Sequence, residues 1–272
     1  MNLKKLTLAV ASAAVLAGMA SPAAAVPAIW EPSFGATVGS GDDSIFAVAF
    51  GFAFPFVGSS HAGGEVSTNG FLSLGGTNGS GCCDGNVGGL LSGAARIAPA
   101  WYDQVHTVFL NTSVAGRAVI TWQGVEFSNS LPVLYQAQLF SDGRIIFGYD
   151  TLPPLENTGH RHDAVTGVSL GSGSPNPGEI DYTTALPFNS GTSSTVYEFF
   201  ARGPNGATGG NPDTFDLAQS NICFSPNNTR GWSVNNCAET VPEPGSLPLA
   251  FAALTLVAGL GAAAKRARNT TA

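Results

Sequence analysis

Four groups of residues in this 272-residue chain have the types and spacing that chemistry requires. Gly167-Val168-Ser169-Leu170-Gly171 fits G-x-S-x-G, the turn that presents a nucleophilic serine between a strand and a helix. Here Ser172-Gly173-Ser174-Pro175-Asn176-Pro177 follows, and that stretch cannot start a long helix. The last of the four histidines, His162, lies upstream of Ser169, whereas the usual hydrolase order places it downstream. Ser169 therefore reads as the end of a strand entering a loop. His160-Arg161-His162-Asp163 puts two imidazoles at alternate positions, which share a face on an extended chain and could share a metal. No third ligand stands nearby and Arg161 adds positive charge, so the cluster reads as a surface loop. The paired carboxylates Asp42-Asp43 suit a hard cation, but without a D-x-D-x-D-G loop they read as a solvated turn. The fourth group is the cysteines, Cys82, Cys83, Cys223 and Cys237. The chain is expected to be non-enzymatic, with no catalytic residues, no metal and no cofactor.

The two ends carry the clearest signals. Lys4 and Lys5 precede the apolar stretch Leu6–Ala20, and Ala23-Ala24-Ala25 offers a small-residue cleavage site before Val26, the pattern of a secretory signal peptide over 1–25. At the other end Val241-Pro242-Glu243-Pro244 leads into Leu247–Ala264, 18 uncharged residues, and then the basic stop Lys265, Arg266 and Arg268. As a helix that run spans about 27 Å, close to the hydrocarbon thickness of a bilayer. The basic end should stay cytoplasmic. The prolines hold the preceding segment extended. This tail resembles the PEP-CTERM sorting signal of exported bacterial proteins, matching it in motif, helix and basic end over 241–272. The resemblance implies transient insertion in the inner membrane and recognition of the motif by an exosortase. It also implies a link to exopolysaccharide.

Between the ends lie about 215 residues, enough for one large β domain. This body carries six arginines, no lysine and seventeen carboxylates, a net charge of −11. Such a field excludes nucleic acid as a partner and suits a soluble extracellular protein. In an exported chain disulfides are expected. Cys223–Cys237 would close a loop of about 15 residues, worth about 3 kcal/mol in the chain-entropy model. Cys82 and Cys83, adjacent among glycines, can form a vicinal bridge, bind a metal or pair elsewhere. Their spacing lacks the two C-x-x-C pairs of a zinc site.

The elements that position these groups read as strands. No segment of the body shows a sustained 3.6-residue apolar stripe. Phe46, Val48, Phe50, Phe52, Phe54 and Phe56 recur at every second position with Ala47, Ala49, Gly51, Ala53 and Pro55 between, so one face is bulky and the other small. This ladder reads as core, and Gly51 or Pro55 marks a bulge or end. Glu65–Leu74 reads as a hairpin, with Asn69-Gly70 supplying a positive-φ pair, and residues 75–95 as a long surface loop. Strands follow over Arg96–Tyr102, His106–Asn111 and Arg117–Phe127. A second hairpin joins Pro132–Phe140 to Arg144–Tyr149 through Asp142-Gly143. Asp163–Leu170 and Thr195–Ala201 are further strands. The expected class is all-β, an antiparallel β-sandwich-like body flanked by the signal peptide and a transmembrane helix.

In order along the chain, Gly51–Phe56, Ser67-Thr68-Asn69-Gly70-Phe71, Ile97-Ala98-Pro99-Ala100-Trp101-Tyr102-Asp103, Val119-Ile120-Thr121-Trp122, Gln138-Leu139-Phe140, Asp142–Ile145 and Thr166-Gly167-Val168 are similar to the nidogen-type extracellular domain. The resemblance covers 45–171 of a domain placed at 26–202, with a cysteine-clipped linker at 203–240. It implies a β-rich extracellular module associated with matrix or adhesion, and it carries over no catalytic set. The glycine-rich Cys82-Cys83 insert departs from the pattern. The expected function is structural or adhesive, in exopolysaccharide or biofilm, with signal peptidase and exosortase as processing partners. The alternatives are a carbohydrate- or protein-binding adhesin working through loops 75–95 and 156–163, and a secreted hydrolase.

Overall fold

A computed structural model describes residues 29–128, 130–153, 162–201 and 215–237. The chain separates into two units, Met1–Cys237 and Ala238–Ala272, and the second lies wholly outside the described residues. So do Ala23 and Ala25, the tetrad Val241-Pro242-Glu243-Pro244, the apolar run and the basic end Lys265, Arg266 and Arg268. No helix among the described residues is long and apolar enough to cross a membrane.

Among the described residues, fourteen strands and one short helix follow in order. They are β1 (Ala36–Gly41), β2 (Ile45–Phe56), β3 (Ser59–Ser67), β4 (Phe71–Leu74), α1 (Val87–Ser92), β5 (Ala95–Trp101), β6 (Gln104–Asn111) and β7 (Arg117–Glu126). Then come β8 (Pro132–Phe140), β9 (Ile145–Thr151), β10 (Ala164–Ser169), β11 (Phe188–Asn189), β12 (Val196–Phe200), β13 (Asn221–Pro226) and β14 (Trp232–Asn235). They build two antiparallel sheets, one of eight strands in the order β1-β6-β7-β8-β9-β13-β14-β11 and one of six in the order β12-β10-β5-β4-β3-β2. One continuous apolar cluster joins the inner faces, with Phe50, Phe54 and Phe56 from the smaller sheet and Trp122, Tyr135 and Phe147 from the larger. The all-β, sandwich-like architecture is the one the sequence pattern predicts.

The Phe ladder forms β2 as expected. Val48, Phe50, Phe54 and Phe56 are buried while Ala47, Ala49, Gly51 and Ala53 stay exposed. Between Ala49, opposite Gly63, and Phe54, opposite His61, β2 advances five residues for two on β3. Gly51, at φ +78°, sits in this bulge.

Four expectations need correction, the last of them the linker at 203–240. The β3–β4 turn is a three-residue loop, because Ser67 pairs with Phe71 and only Gly70 has positive φ, at +82°. A left-handed glycine closing a three-residue loop replaces the two-residue positive-φ pair. The β8–β9 turn likewise has only Gly143 in that region, at +88°. Residues 75–95 are not simply a surface loop. Asn86 caps α1 by accepting the Gly89 N–H at 2.6 Å, and Leu90 packs with Phe71 and Trp101 in a second cluster on the outer face of the six-stranded sheet.

The segment read as a cysteine-clipped linker supplies β13 and β14, which extend the larger sheet and bury Phe224, Trp232 and Val234. Cys223 and Cys237 are bonded there as anticipated. Residues 29–33, not singled out in the sequence, run over the outer face of the larger sheet. Gln136 exchanges hydrogen bonds with the backbone of Glu31, at 3.1 and 2.8 Å, and Gln138 donates to the Ile29 carbonyl at 3.1 Å. An Arg117–Glu31 ion pair fixes the same segment.

Candidate functional site

One end of the sandwich gathers a network of buried and exposed polar groups. Three chain segments meet there: the β1–β2 turn, the β3–β4 turn and the β5–β6 connection. Ser44 and Thr68 clip the first two, with the Ser44 N–H donating to Thr68 Oγ1 and the Thr68 N–H to the Ser44 carbonyl, each at 3.0 Å. Asn69 joins all three. Its amide donates to Asp43 Oδ1 at 2.7 Å and to the Ser80 carbonyl at 3.2 Å, and its oxygen accepts the Gln104 N–H at 3.1 Å. Ser67, Thr68 and Asn69 are fully buried. Buried polar groups need partners, and here they find them across both sheets. Trp122 Nε1 donates to the Ser67 carbonyl at 2.8 Å, and His106 Nδ1 lies 2.8 Å from the Thr68 carbonyl. A carbonyl can only accept, so His106 carries its proton on Nδ1. Burial lowers the His106 pKa to about 4, which keeps the ring neutral. Gly70 is required at this crossing because a Cβ would lie 1.9 Å from the Ala100 carbonyl oxygen.

On this frame sit the carboxylates. Asp42, Asp43 and Asp103 each place one oxygen within 4.8 Å of the others. Asp42 and Asp43 are exposed, whereas Asp103 is 5% exposed. Burial raises the Asp103 pKa to about 6, with Asp42, Asp43 and Glu126 adding to the rise and His162 opposing it. His162 bridges outward, its Nε2 3.6 Å from Asp103 and its Nδ1 3.3 Å from Asp84. Asp84 Oδ1 also accepts the Asp163 N–H at 3.1 Å, so the cysteine-bearing loop and residues 162–163 meet at the carboxylates. Three convergent carboxylate oxygens match the oxygen preference of a hard divalent cation such as calcium, and equally the hydroxyl or ammonium groups of a polar ligand.

Sequence-singled residues fall on both sides of this picture. Asp42, Asp43 and His162 are brought together, while His160 lies outside the described residues. Cys82 and Cys83 bond to each other on the exposed rim beside Asp84. Ser169 is fully buried at the end of β10, bonded to Thr195 Oγ1 at 2.8 Å and accepting the Gly171 N–H at 3.0 Å. No helix follows it; a turn does. Sequence reasoning reaches Asn69 only as a turn residue and Asp103 only within a family motif, and it gives Asp84 and Gln104 no role. The signal for Asn69 is a run of polar residues, 67–70, flanked by apolar ones, and for Asp103 an aspartate that follows the aromatic pair Trp101-Tyr102.

A sequence model of a family described as NIDO related matches residues 23–205, more than half of the chain. The match takes in β1 to β12 and all three segments of the site. It also contains the whole stretch that resembles the nidogen-type domain. No curated protein and no solved structure matches the chain. The chain belongs to the NIDO-related family.

Proposed function

We propose that this chain is an exported cell-surface or extracellular-matrix protein with a structural and adhesive role in exopolysaccharide or biofilm. The observation that carries the reading is a lysine-free sandwich with two disulfides, set between two apolar ends. Disulfides persist in oxidising compartments outside the cytosol, and NIDO-related membership agrees with an extracellular module. Signal peptidase cuts after Ala25, and the tail, similar to a PEP-CTERM signal, hands the chain to an exosortase at Val241-Pro242-Glu243-Pro244. The body then acts without catalysis. The test is retention: mature protein purified from culture should co-sediment saturably with extracellular polymer from the producing cells. Failure to bind that polymer or any matrix protein sinks the role.

A second reading, a carbohydrate- or protein-binding adhesin, is favoured by one relationship. Asp84 of the cysteine-bearing loop touches His162 and Asp163 beside Asp42, Asp43 and Asp103, so the loop 75–95 and the described end of the loop 156–163 meet at one acidic end. A glycan array separates the readings, since one defined saturable ligand supports the adhesin. A secreted hydrolase ranks third, and turnover that vanishes in Ser169→Ala would establish it.

A further inference from the structure

The 77–93 segment is a cap, and its lower surface presses on three side chains. Gly81 packs so closely that a Cβ would lie 2.3 Å from the Phe71 ring and 2.8 Å from Trp101 Nε1. Leu90 and Val87 cover the same rings. Beneath lies Arg96, 3% exposed, its guanidinium 4.4 Å from the Phe71 centroid and 3.8 Å from that of Trp101. Its Nε and Nη1 are sealed from solvent with no hydrogen-bond partner among the described residues. Burial lowers its pKa only to about 10, so it remains a cation at neutral pH. Two aromatic faces offset part of the desolvation, but a buried guanidinium with two nitrogens unpartnered among the described residues opposes the closed cap.

The cap is fastened on both sides of its cysteine pair. Before the pair, the Ser80 carbonyl accepts from Ser67 Oγ at 2.5 Å and from Asn69, and the Gly81 carbonyl accepts from Trp101 Nε1 at 2.9 Å. After it, Asp84 holds His162 and the Asp163 N–H, and the Gly85 N–H donates to the Asp163 carbonyl at 2.8 Å. Cys83 itself sits at φ +80°, a left-handed conformation that L-residues adopt uncommonly. The bond between the adjacent cysteines closes a small ring around this residue.

We propose that the Cys82–Cys83 ring is a reducible latch that holds the 77–93 cap closed over the Arg96 cation. Both cysteines are exposed, whereas Cys237 of the other pair is 5% exposed. A dithiol reductant attacks one sulfur as its thiolate and forms a mixed disulfide. Its second thiol then displaces the bound cysteine. The reductant leaves as its own disulfide, and two electrons and two protons pass to Cys82 and Cys83. With the ring open, Cys83 leaves the left-handed region and the fastenings at Gly81 and Asp84 no longer share one rigid tip. Rehydration of Arg96 then favours opening. The same fastenings hold Asn69 and His162, so the latch also sets the geometry around Asp43 and Asp103. The latch is a property of the fold; only its use to tune binding at the acidic end rests on the adhesin reading.

The test is hydrogen exchange on the full mature protein before and after mild dithiothreitol treatment, with alkylated thiols assigned by mass spectrometry. Cys82 and Cys83 should label before Cys223 and Cys237. Exchange in 78–93 and 162–171 should then rise at least about tenfold, with β7 and β8 unchanged. Cys82→Ser/Cys83→Ser should reproduce the faster exchange without reductant. Reduced Arg96→Met should open less than the reduced native protein. Free Cys82 and Cys83 thiols in the native protein, labelling without faster exchange, or equal opening in Arg96→Met would each overturn the proposal. These readouts involve no ligand, so their failure is distinguishable from failure of the adhesin reading.

Discussion

The indole N–H of Trp122, on β7 of the eight-stranded sheet, donates to the main-chain carbonyl of Ser67, at the end of β3 in the six-stranded sheet, at 2.8 Å. Both residues are fully buried. The bond ties the two layers together beneath the acidic end, so the site's frame and the core are one structure. Trp122→Phe keeps an aromatic ring and removes the donor. Stability in denaturant titration should fall by about 1–3 kcal/mol, the cost of a lost buried hydrogen bond and some packing.

Gly70 is the tightest point of the same crossing. Gly70→Ala must place a methyl against the Ala100 carbonyl at φ +82°. A loss of more than about 2 kcal/mol is expected, with the Ser67–Phe71 turn distorted. Gly51→Ala provides the contrast: its φ is also positive, at +78°, but nothing lies within 4 Å of the added methyl. Its loss should be smaller, and equal losses would refute the crowding argument.

The acidic groups give stability a slope with pH. Burial raises the Glu198 pKa to about 8, the Tyr182 N–H donated at 3.0 Å opposes the rise, and Asp181, Asp216 and Glu179 add to it. The folded form therefore holds its proton where the unfolded form, near 4.5, has lost it. Stability from this group is fully present below 4.5 and is lost as pH climbs to about 8. Asp103 acts in the same direction between 3.8 and about 6. Thermal unfolding midpoints should fall from pH 5 to pH 8 by several degrees, on the order of 1 kcal/mol or more. Glu198→Gln should flatten the upper part of that decline, because a neutral amide oxygen can still accept the Tyr182 N–H.

The second disulfide joins β13 to the residues beyond β14 across a sequence separation of 14. Replacing Cys223 and Cys237 together by Ser should lower stability by about 3 kcal/mol through the freed unfolded chain. Loss of the larger sheet's edge would show as faster exchange in β13, β14 and β11, while β2 to β5 hold.

Much of this was legible from residue order. Period-two alternation located β2, and turn residues located the β3–β4 and β8–β9 hairpins, because a strand's face and a glycine's φ are local properties. The partners were not local. Nothing in the sequence shows that Trp122 and His106 stand over Ser67 and Thr68, or that Gln136 and Gln138 hold the backbone of residues 29–31. The glycines around Cys82 and Cys83 read as a loose loop. They are small because Gly81 and Gly85 press against Phe71, Trp101 and Val165. The strands β13 and β14 were overlooked because their cysteines suggested a clip and not a continuation of the sheet.

Processing of the tail has its own check. Pro242→Ala with Pro244→Ala should leave an unprocessed, membrane-retained form, and unchanged processing would refute recognition of that motif.

The proposed role requires that the sandwich reach the outside of the cell and be stapled there by its disulfides. Mass spectrometry of the native protein after cell fractionation tests this most directly. An extracellular or surface product beginning at Val26, lacking the apolar tail and carrying Cys82–Cys83 and Cys223–Cys237 bonds, is the predicted result. A cytosolic chain running from Met1 to Ala272 with reduced cysteines would contradict it.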